Sequence, residues 1–176
     1  ISADLDHDIV VTNGGSSVGE RDLIESVVTE MGDVLVHGVE IKPGHPVGIG
    51  HVEGTPVLML PGYPVSCLVN AVQFLQPAIA WMAGAEPPRP SSVRARLTDK
   101  VRSAPGERTF ARVRLDEAGD EAGDGEPPLE AVPVRVAGAS VMSSVAFADG
   151  WVVVPESREG IPAGETVSVQ QWERSC

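Results

Sequence analysis

The sequence predicts an α/β domain followed by a small all-β barrel or sandwich. Three observations carry that reading. A β-branched run, Ile9-Val10-Val11, leads into a stretch with helical spacing and then into three strand-like runs broken by Gly and Pro. The segment "AEPPRPSS" (85–92) has three prolines and no periodicity, which marks a linker. Beyond it come short alternating strands with no convincing helical period. The expected domains are therefore 1–86 and 87–176.

Each element has its own signal. From Asp22 the apolar residues Leu23, Ile24, Val27, Val28 and Met31 recur with helical spacing, and Gly32 is expected to stop the helix. "VLVHGVEIKPG", "HPVGIGHVEG" and "TPVLMLPG" follow as expected strands. "YPVSCLVNAVQFLQPAIAWMAG" is apolar on nearly all sides, so a buried helix is expected, closed by Gly84. Pro77 inside it lacks an N–H and clashes with the preceding turn, so it is expected to kink that helix or start a second one. After the linker, "SVRARLTDKV", "RTFARVRL", "EAVPVRV", "GWVVVP" and "ETVSVQQW" are the expected strands. The acidic loop "DEAGDEAGDGEPP" (116–128) lacks the EF-hand pattern and its closing Glu, and is read as a solvated hairpin tip.

Composition narrows the function. With 176 residues, a net charge of −12 and 42% apolar residues, the chain is globular and large enough for a real core. No segment is read as a membrane span. Lys42 and Lys100 are the only lysines among 13 basic residues, against 25 acidic ones. That bias fits a surface adapted to high salt, or drift in a GC-rich genome, with equal weight. Such a balance argues against nucleic-acid partners. The 2 cysteines make no disulfide framework and fit a reducing, cytoplasmic setting, and the 4 histidines show no zinc-ligand spacing. Residues 1–86 hold 11 acids against Arg21 and Lys42, whereas 87–176 hold 14 acids against 11 bases. The start, "ISADLDHDIVV", has no basic leader and no initiating Met, and is read as a cut within a longer protein.

Three turns are candidates for chemistry. In "GGSSVGERD" (14–22), Gly14 and Gly15 allow positive φ and close approach, so that successive N–H groups form a concave site for an oxyanion. Ser16 and Ser17 add caps or hydroxyl donors. Asp22 either complements the helix dipole, the reading its position alone favours, or holds a metal ion. "IKPGHP" (41–46) fixes Lys42 on a stiff turn beside His45; an ordinary exposed turn is the alternative. "LPGYPVS" (60–66) is a rigid strand-to-helix turn with Pro64 near the first helical position.

Together these motifs resemble the molybdopterin molybdenumtransferase family, which includes MoeA and the E domain of gephyrin. The family pattern is GG-x-S-x-G-x-x-D, then KPG-K-P, then LPG-N-P-x-S, in this order. "PGERTFARVRL" and "GASVMSSVAFADGWVVVP" are similar to the family's C-terminal barrel. The resemblance implies a three-layer α/β/α molybdopterin-binding (MogA-like) domain, incomplete at its N-terminus, followed by a small β-barrel. It implies insertion of molybdate into the dithiolene of adenylylated molybdopterin with release of AMP, assisted by Mg2+. By that resemblance Gly14, Gly15, Ser17, Gly19, Pro61, Gly62, Pro64 and Ser66 bind the pterin nucleotide. Asp22 holds the metal and is catalytic with Lys42, while Lys42, His45, Pro46, Arg112 and Ser143 bind the oxyanion. The partners are then small molecules, pterin and oxyanion, with no nucleic acid and no membrane, and the full-length parent is expected to be a cytoplasmic homodimer.

Two departures stand inside the motifs. His45 replaces the usual lysine and Tyr63 the usual asparagine. Histidine, unlike lysine, can be neutral or protonated in the physiological range, so a fixed cation becomes a conditional one. The LPGYP form points to an archaeal, salt-adapted branch of the family, in which tungstate is an alternative to molybdate. The other alternative is a non-catalytic, peptide-binding scaffold of the gephyrin type. As a fragment, the chain is expected not to complete the reaction alone; turnover of adenylylated molybdopterin by these 176 residues would contradict that.

Overall fold

In the computed structural model, which describes residues 1–15, 23–119, 127–134 and 143–171, the chain divides into two units, Ile1–Pro88 and Arg89–Cys176. The first unit runs β1 (Val10–Asn13), α1 (Leu23–Met31), β2 (Gly32–His37), β3 (Ile41–Lys42), β4 (Gly48–Val52) and β5 (Thr55–Leu60). A helical run over Pro64–Met82 follows, made of α2 (Pro64–Asn70), a π-helical stretch (Ala71–Leu75) and α3 (Gln76–Met82). The sheet order is β1-β5-β4-β2, with β1 parallel to β5 and the other pairs antiparallel.

β5 shows why the layers form. Val57 and Met59 pack with Val28 of α1, whereas Leu58 and Leu60 pack with Val47 and against Cys67, Ala71, Phe74 and Leu75. Successive residues of a strand face opposite ways, so a strand covered on both sides needs apolar residues at both parities. That is why β5 reads as an unbroken run, Val57 to Leu60. The layers are α1, sheet, helical run, as the sequence predicts. Gly32 follows the last residue of α1 but also opens β2, so helix passes to strand without a loop.

The long helical run differs from expectation in two ways, in its burial and in its length and apolarity. Only Val65, Ser66, Val69 and Asn70 are buried, all within α2; no residue of α3 is, and Trp81 is 78% exposed. The packing against Leu58 and Leu60 extends through Ala71, Phe74 and Leu75, which are half-buried, and no residue of α3 joins that cluster. Pro77 sits in the opening turn of α3, so it starts a second helical segment as one of the two expected outcomes, with no loop between that segment and the stretch before it. The π-helical stretch before it admits an extra residue into the turn where the proline has no N–H to give. Finally, these 19 residues are long and apolar enough to cross a membrane by length and composition, contrary to the sequence expectation, although the first half is anchored in the core. Gly84 closes the run as predicted, with Ala85 N bonded to Ala80 O (2.8 Å) and Gly84 N to Trp81 O (3.0 Å).

The second unit contains β6 (Ser92–Leu97), β7 (Val101–Arg102), β8 (Arg108–Glu117), β9 (Leu129–Pro133), the one-turn helix α4 (Ser143–Ala146), β10 (Gly150–Val154), β11 (Gly160–Ile161) and β12 (Thr166–Gln171). Five strands, in the order β10-β12-β6-β9-β8, close on themselves through the pairing of β10 with β8. The expected strands form this barrel. Alternate residues point inward: Ala95 and Leu97, Val113, Ala131, Val152 and Val154, Val167 and Val169. Two alanines among them suit the narrow interior of a small barrel. β8 and β9 pair from Val113↔Pro133 to Glu117↔Leu129, as a hairpin requires, while the tip at 120–126 lies outside the described residues.

Leu97 is fully buried in the barrel core. Leu97→Ala is expected to lower stability by about 2–5 kcal/mol, read from the chemical denaturation midpoint.

Candidate functional site

Strand register brings the three candidate turns to one end of the first sheet. β1 and β5 are parallel, with Asn13 opposite Leu60, so both strands finish together. β4 runs antiparallel to β5, with Gly48 opposite Met59, so the turn entering β4 arrives at the same end. The turn after Asn13, the turn after Leu60 and the Lys42–Pro46 turn therefore share an edge. In open α/β sheets, ligands bind outside the carboxyl ends of the strands.

Contacts at this edge are short. Gly14 N donates to Leu60 O at 2.9 Å. A Cβ placed on Gly62 would stand 3.1 Å from Gly14 Cα, so the two turns touch backbone to backbone. Gly14 (φ +83°) and Gly15 (φ +71°) both take the left-handed conformation. Asn13 Nδ2 lies 2.9 Å from Cys67 Sγ, joining the end of β1 to α2. Burial pushes the Cys67 thiol above its ordinary pKa, against the opposing effect of the Asn13 bond, which leaves a protonated, unreactive thiol at neutral pH.

The Lys42 turn is anchored from the helix. Asn70, fully buried, donates through Nδ2 to Gly44 O (2.9 Å) and to Ser66 O (2.8 Å). Gly44 has φ +131°, and a Cβ there would lie 2.6 Å from Asn70 Nδ2. Glycine is required on both counts. His45 Nδ1 donates to Val39 O at 2.8 Å and lies 3.8 Å from Glu40 Oε1, so its ring is tied to its own loop and to an acidic neighbour. Lys42 and Tyr63 are exposed, and Tyr63 caps α2 in an extended conformation. Ser66 is buried, and Pro64 begins α2 as expected.

Gly14, Gly15, Lys42, His45, Pro46, Pro61, Gly62, Pro64 and Ser66 are thus gathered in the first unit. Ser17, Gly19 and Asp22 lie outside the described residues. The remaining two candidates are in the barrel unit. Arg112 lies on β8, opposite Trp151 of β10, in the outward row with Phe110 while Val113 points inward. Ser143 opens α4, and the chain after α4 docks on β8 through Asp149 N to Val113 O and Leu115 N to Asp149 Oδ2, both 2.9 Å.

Arg112 differs electrostatically from other arginines of the barrel. Arg96, Arg108, Arg114 and Arg158 each pair with a carboxylate at 2.6–3.0 Å: Glu130, Glu156, Asp116 and Glu165. Arg112 has no such pair among the described residues, and its Nε is buried without a hydrogen-bond partner. Burial lowers its pKa from the ordinary value, which means its charge is desolvated without compensation. An anion would satisfy it. Among the described residues no group of three or more His, Cys, Asp or Glu is placed to hold a metal ion.

Two family models match the chain: one described as "Probable molybdopterin binding domain" over residues 1–81, and the "MoeA C-terminal region (domain IV)" over residues 94–172. The chain belongs to the MoeA family. Among curated MoeA-family relatives it is 36% identical, over 93% of its length, to a Methanocaldococcus jannaschii protein provisionally named a molybdopterin biosynthesis protein. It is 32% identical, over 98% of its length, to the molybdopterin molybdenumtransferase of Haemophilus influenzae. It spans 36% and 41% of those two proteins, so about two fifths of a MoeA-family relative is represented. The solved MoeA structure from Pyrococcus horikoshii superposes with a TM-score of 0.73 at 37% identity, covering 97% of this chain and 38% of that one. The first unit is thus the family's MogA-like domain and the second its C-terminal β domain.

The sequence reading missed Asn70 and Asn13. An asparagine in the apolar run "CLVNAVQFL", four residues after Ser66, was the available signal for Asn70. Of two glycine substitutions, Gly44→Ala is expected to cost more than Gly62→Ala. It meets both backbone strain, about 1–3 kcal/mol, and the Asn70 side chain, whereas Gly62→Ala requires only a few tenths of an ångström of adjustment. Denaturation midpoints of the two variants check the order.

Proposed function

We propose that this chain supplies the pterin-nucleotide and oxyanion determinants of a molybdopterin molybdenumtransferase. The observation that carries the reading is the convergence of three family motifs at one sheet end, with the Gly14 and Gly62 backbones in contact. Gly14, Gly15, Ser17, Gly19, Pro61, Gly62, Pro64 and Ser66 bind adenylylated molybdopterin; the N–H groups of the non-proline members suit its phosphates, whereas Pro61 and Pro64 have none to donate and stiffen their turn. Lys42, His45 and Pro46 favour an anion on the same edge. In the barrel unit, Arg112 with Ser143 takes molybdate, a tetrahedral dianion; the unsatisfied Arg112 Nε supports that role. The functional boundary between the two domains is placed at 86/87.

The reaction leaves molybdenum in its hexavalent state. Water cleaves the phosphoanhydride and AMP departs. The two dithiolene sulfurs bind molybdenum, and one oxo group leaves as water with two protons. The chain's own part is charge neutralisation and positioning. Asp22 would hold Mg2+, which supplies charge neutralisation at the phosphates when bound. The same reading makes the parent a cytoplasmic homodimer; both points rest on the family resemblance.

Titration calorimetry with molybdate and tungstate tests the oxyanion role. Arg112→Ala is expected to weaken binding about 10–100-fold, since a hydrogen bond to a charged group contributes about 1.5–3 kcal/mol. Binding of neither oxyanion by the unaltered protein would return the scaffold reading, and a clear preference would separate a molybdate from a tungstate enzyme. In the full-length parent, Asp22→Ala is expected to abolish molybdate-dependent AMP release; intact release would remove Asp22 from the mechanism.

A further inference from the structure

We infer that Asn70 is a positioning residue, which locks the Lys42 turn onto the helix that begins at the third motif. The inference rests on the reading of Lys42 and the "LPGYP" turn as parts of one ligand site. Asn70 is fully buried, and its Nδ2 is shared between Gly44 O, two residues beyond Lys42, and Ser66 O, inside the first turn of α2. One carboxamide therefore ties two turns that are far apart in sequence but act on one edge.

Stability alone does not account for this side chain. Its Oδ1 is buried with no hydrogen-bond partner, and an unsatisfied buried acceptor is costly. Leucine has the same branching and the same number of side-chain heavy atoms and would remove that orphan atom. The approach also forces glycine at 44, where a Cβ would collide with Asn70 Nδ2 at 2.6 Å. The arrangement thus accepts an unpaired oxygen and a glycine with φ +131° to bring one donor to one loop carbonyl. A fixed turn follows, and a ligand that meets a fixed turn loses less free energy to ordering it.

Two substitutions isolate the tether. Asn70→Thr keeps a hydroxyl able to bond back to the carbonyl four residues earlier, Ser66 O, but is too short to reach Gly44 O. Asn70→Leu preserves the branching of the side chain and removes both bonds. Amide hydrogen exchange is measured on each variant, together with binding of adenylylated molybdopterin well below the melting temperature, where every protein is fully folded. The expected result is at least ~10-fold faster exchange in the 42–47 turn, with β4 and β5 amides unchanged, and about 3–10-fold weaker binding in both variants. Unchanged exchange in the turn would overturn the inference, as would faster exchange with unaltered affinity. Full affinity in Asn70→Thr with loss only in Asn70→Leu would also overturn it, because the intrahelical bond would then suffice. Failure of the unaltered protein to bind the pterin nucleotide would instead overturn the functional reading, and the exchange data would still decide the tether.

Discussion

The first unit depends on the parallel pairing of β1 with β5, sealed where Gly14 N meets Leu60 O. Parallel strands finish at the same end, so whatever follows each of them is delivered to one edge. Here two glycine turns follow, and they approach until Gly62 would carry a Cβ only 3.1 Å from Gly14 Cα. A side chain at Gly62 would press on the Gly14 backbone, while Gly14 itself is restricted by its φ of +83°. The antiparallel β4 brings the Lys42 turn to the same edge, and Asn70 fastens it from the helix. The site is therefore a consequence of register, with side chains acting as fasteners.

The acidic composition and an anionic ligand are compatible because charge is organised locally. On the barrel, four arginines are neutralised by adjacent carboxylates, and exposed pairs of this kind add little to stability. Their effect is to leave Arg112 as a desolvated cation without a carboxylate partner among the described residues. In a chain with 25 acidic residues, Arg96, Arg108, Arg114 and Arg158 are paired with carboxylates while the buried Arg112 Nε is not, which is the arrangement the proposed dianion site requires.

Most of the architecture was legible in the sequence. The helical spacing of Leu23 to Met31, the doubly apolar run of β5 and the alternation of the barrel strands each report burial directly, and burial follows the period of the backbone. The helix over Pro64–Met82 was legible only in its existence. Its apolar residues gave no indication of which turns meet the sheet, since Ile79 and Trp81 read like core residues yet stand exposed. Pro77 signalled a disturbance, but the choice of a π-helical stretch over a break depends on packing that periodicity does not encode. Within the site, glycine and proline positions were visible because they restrict the backbone locally. Asn70 was not, because its role arises from a contact with Gly44, 26 residues away, that only the folded register creates.

The central claim is that the three turns form one anion-binding edge. Backbone amide chemical shifts during titration with adenylylated molybdopterin test it most directly. The expected result is that Gly14, Gly15, Lys42, Gly44, Gly62 and Tyr63 shift together along one saturation curve. Saturable binding that leaves the amides of these turns unmoved would contradict the claim.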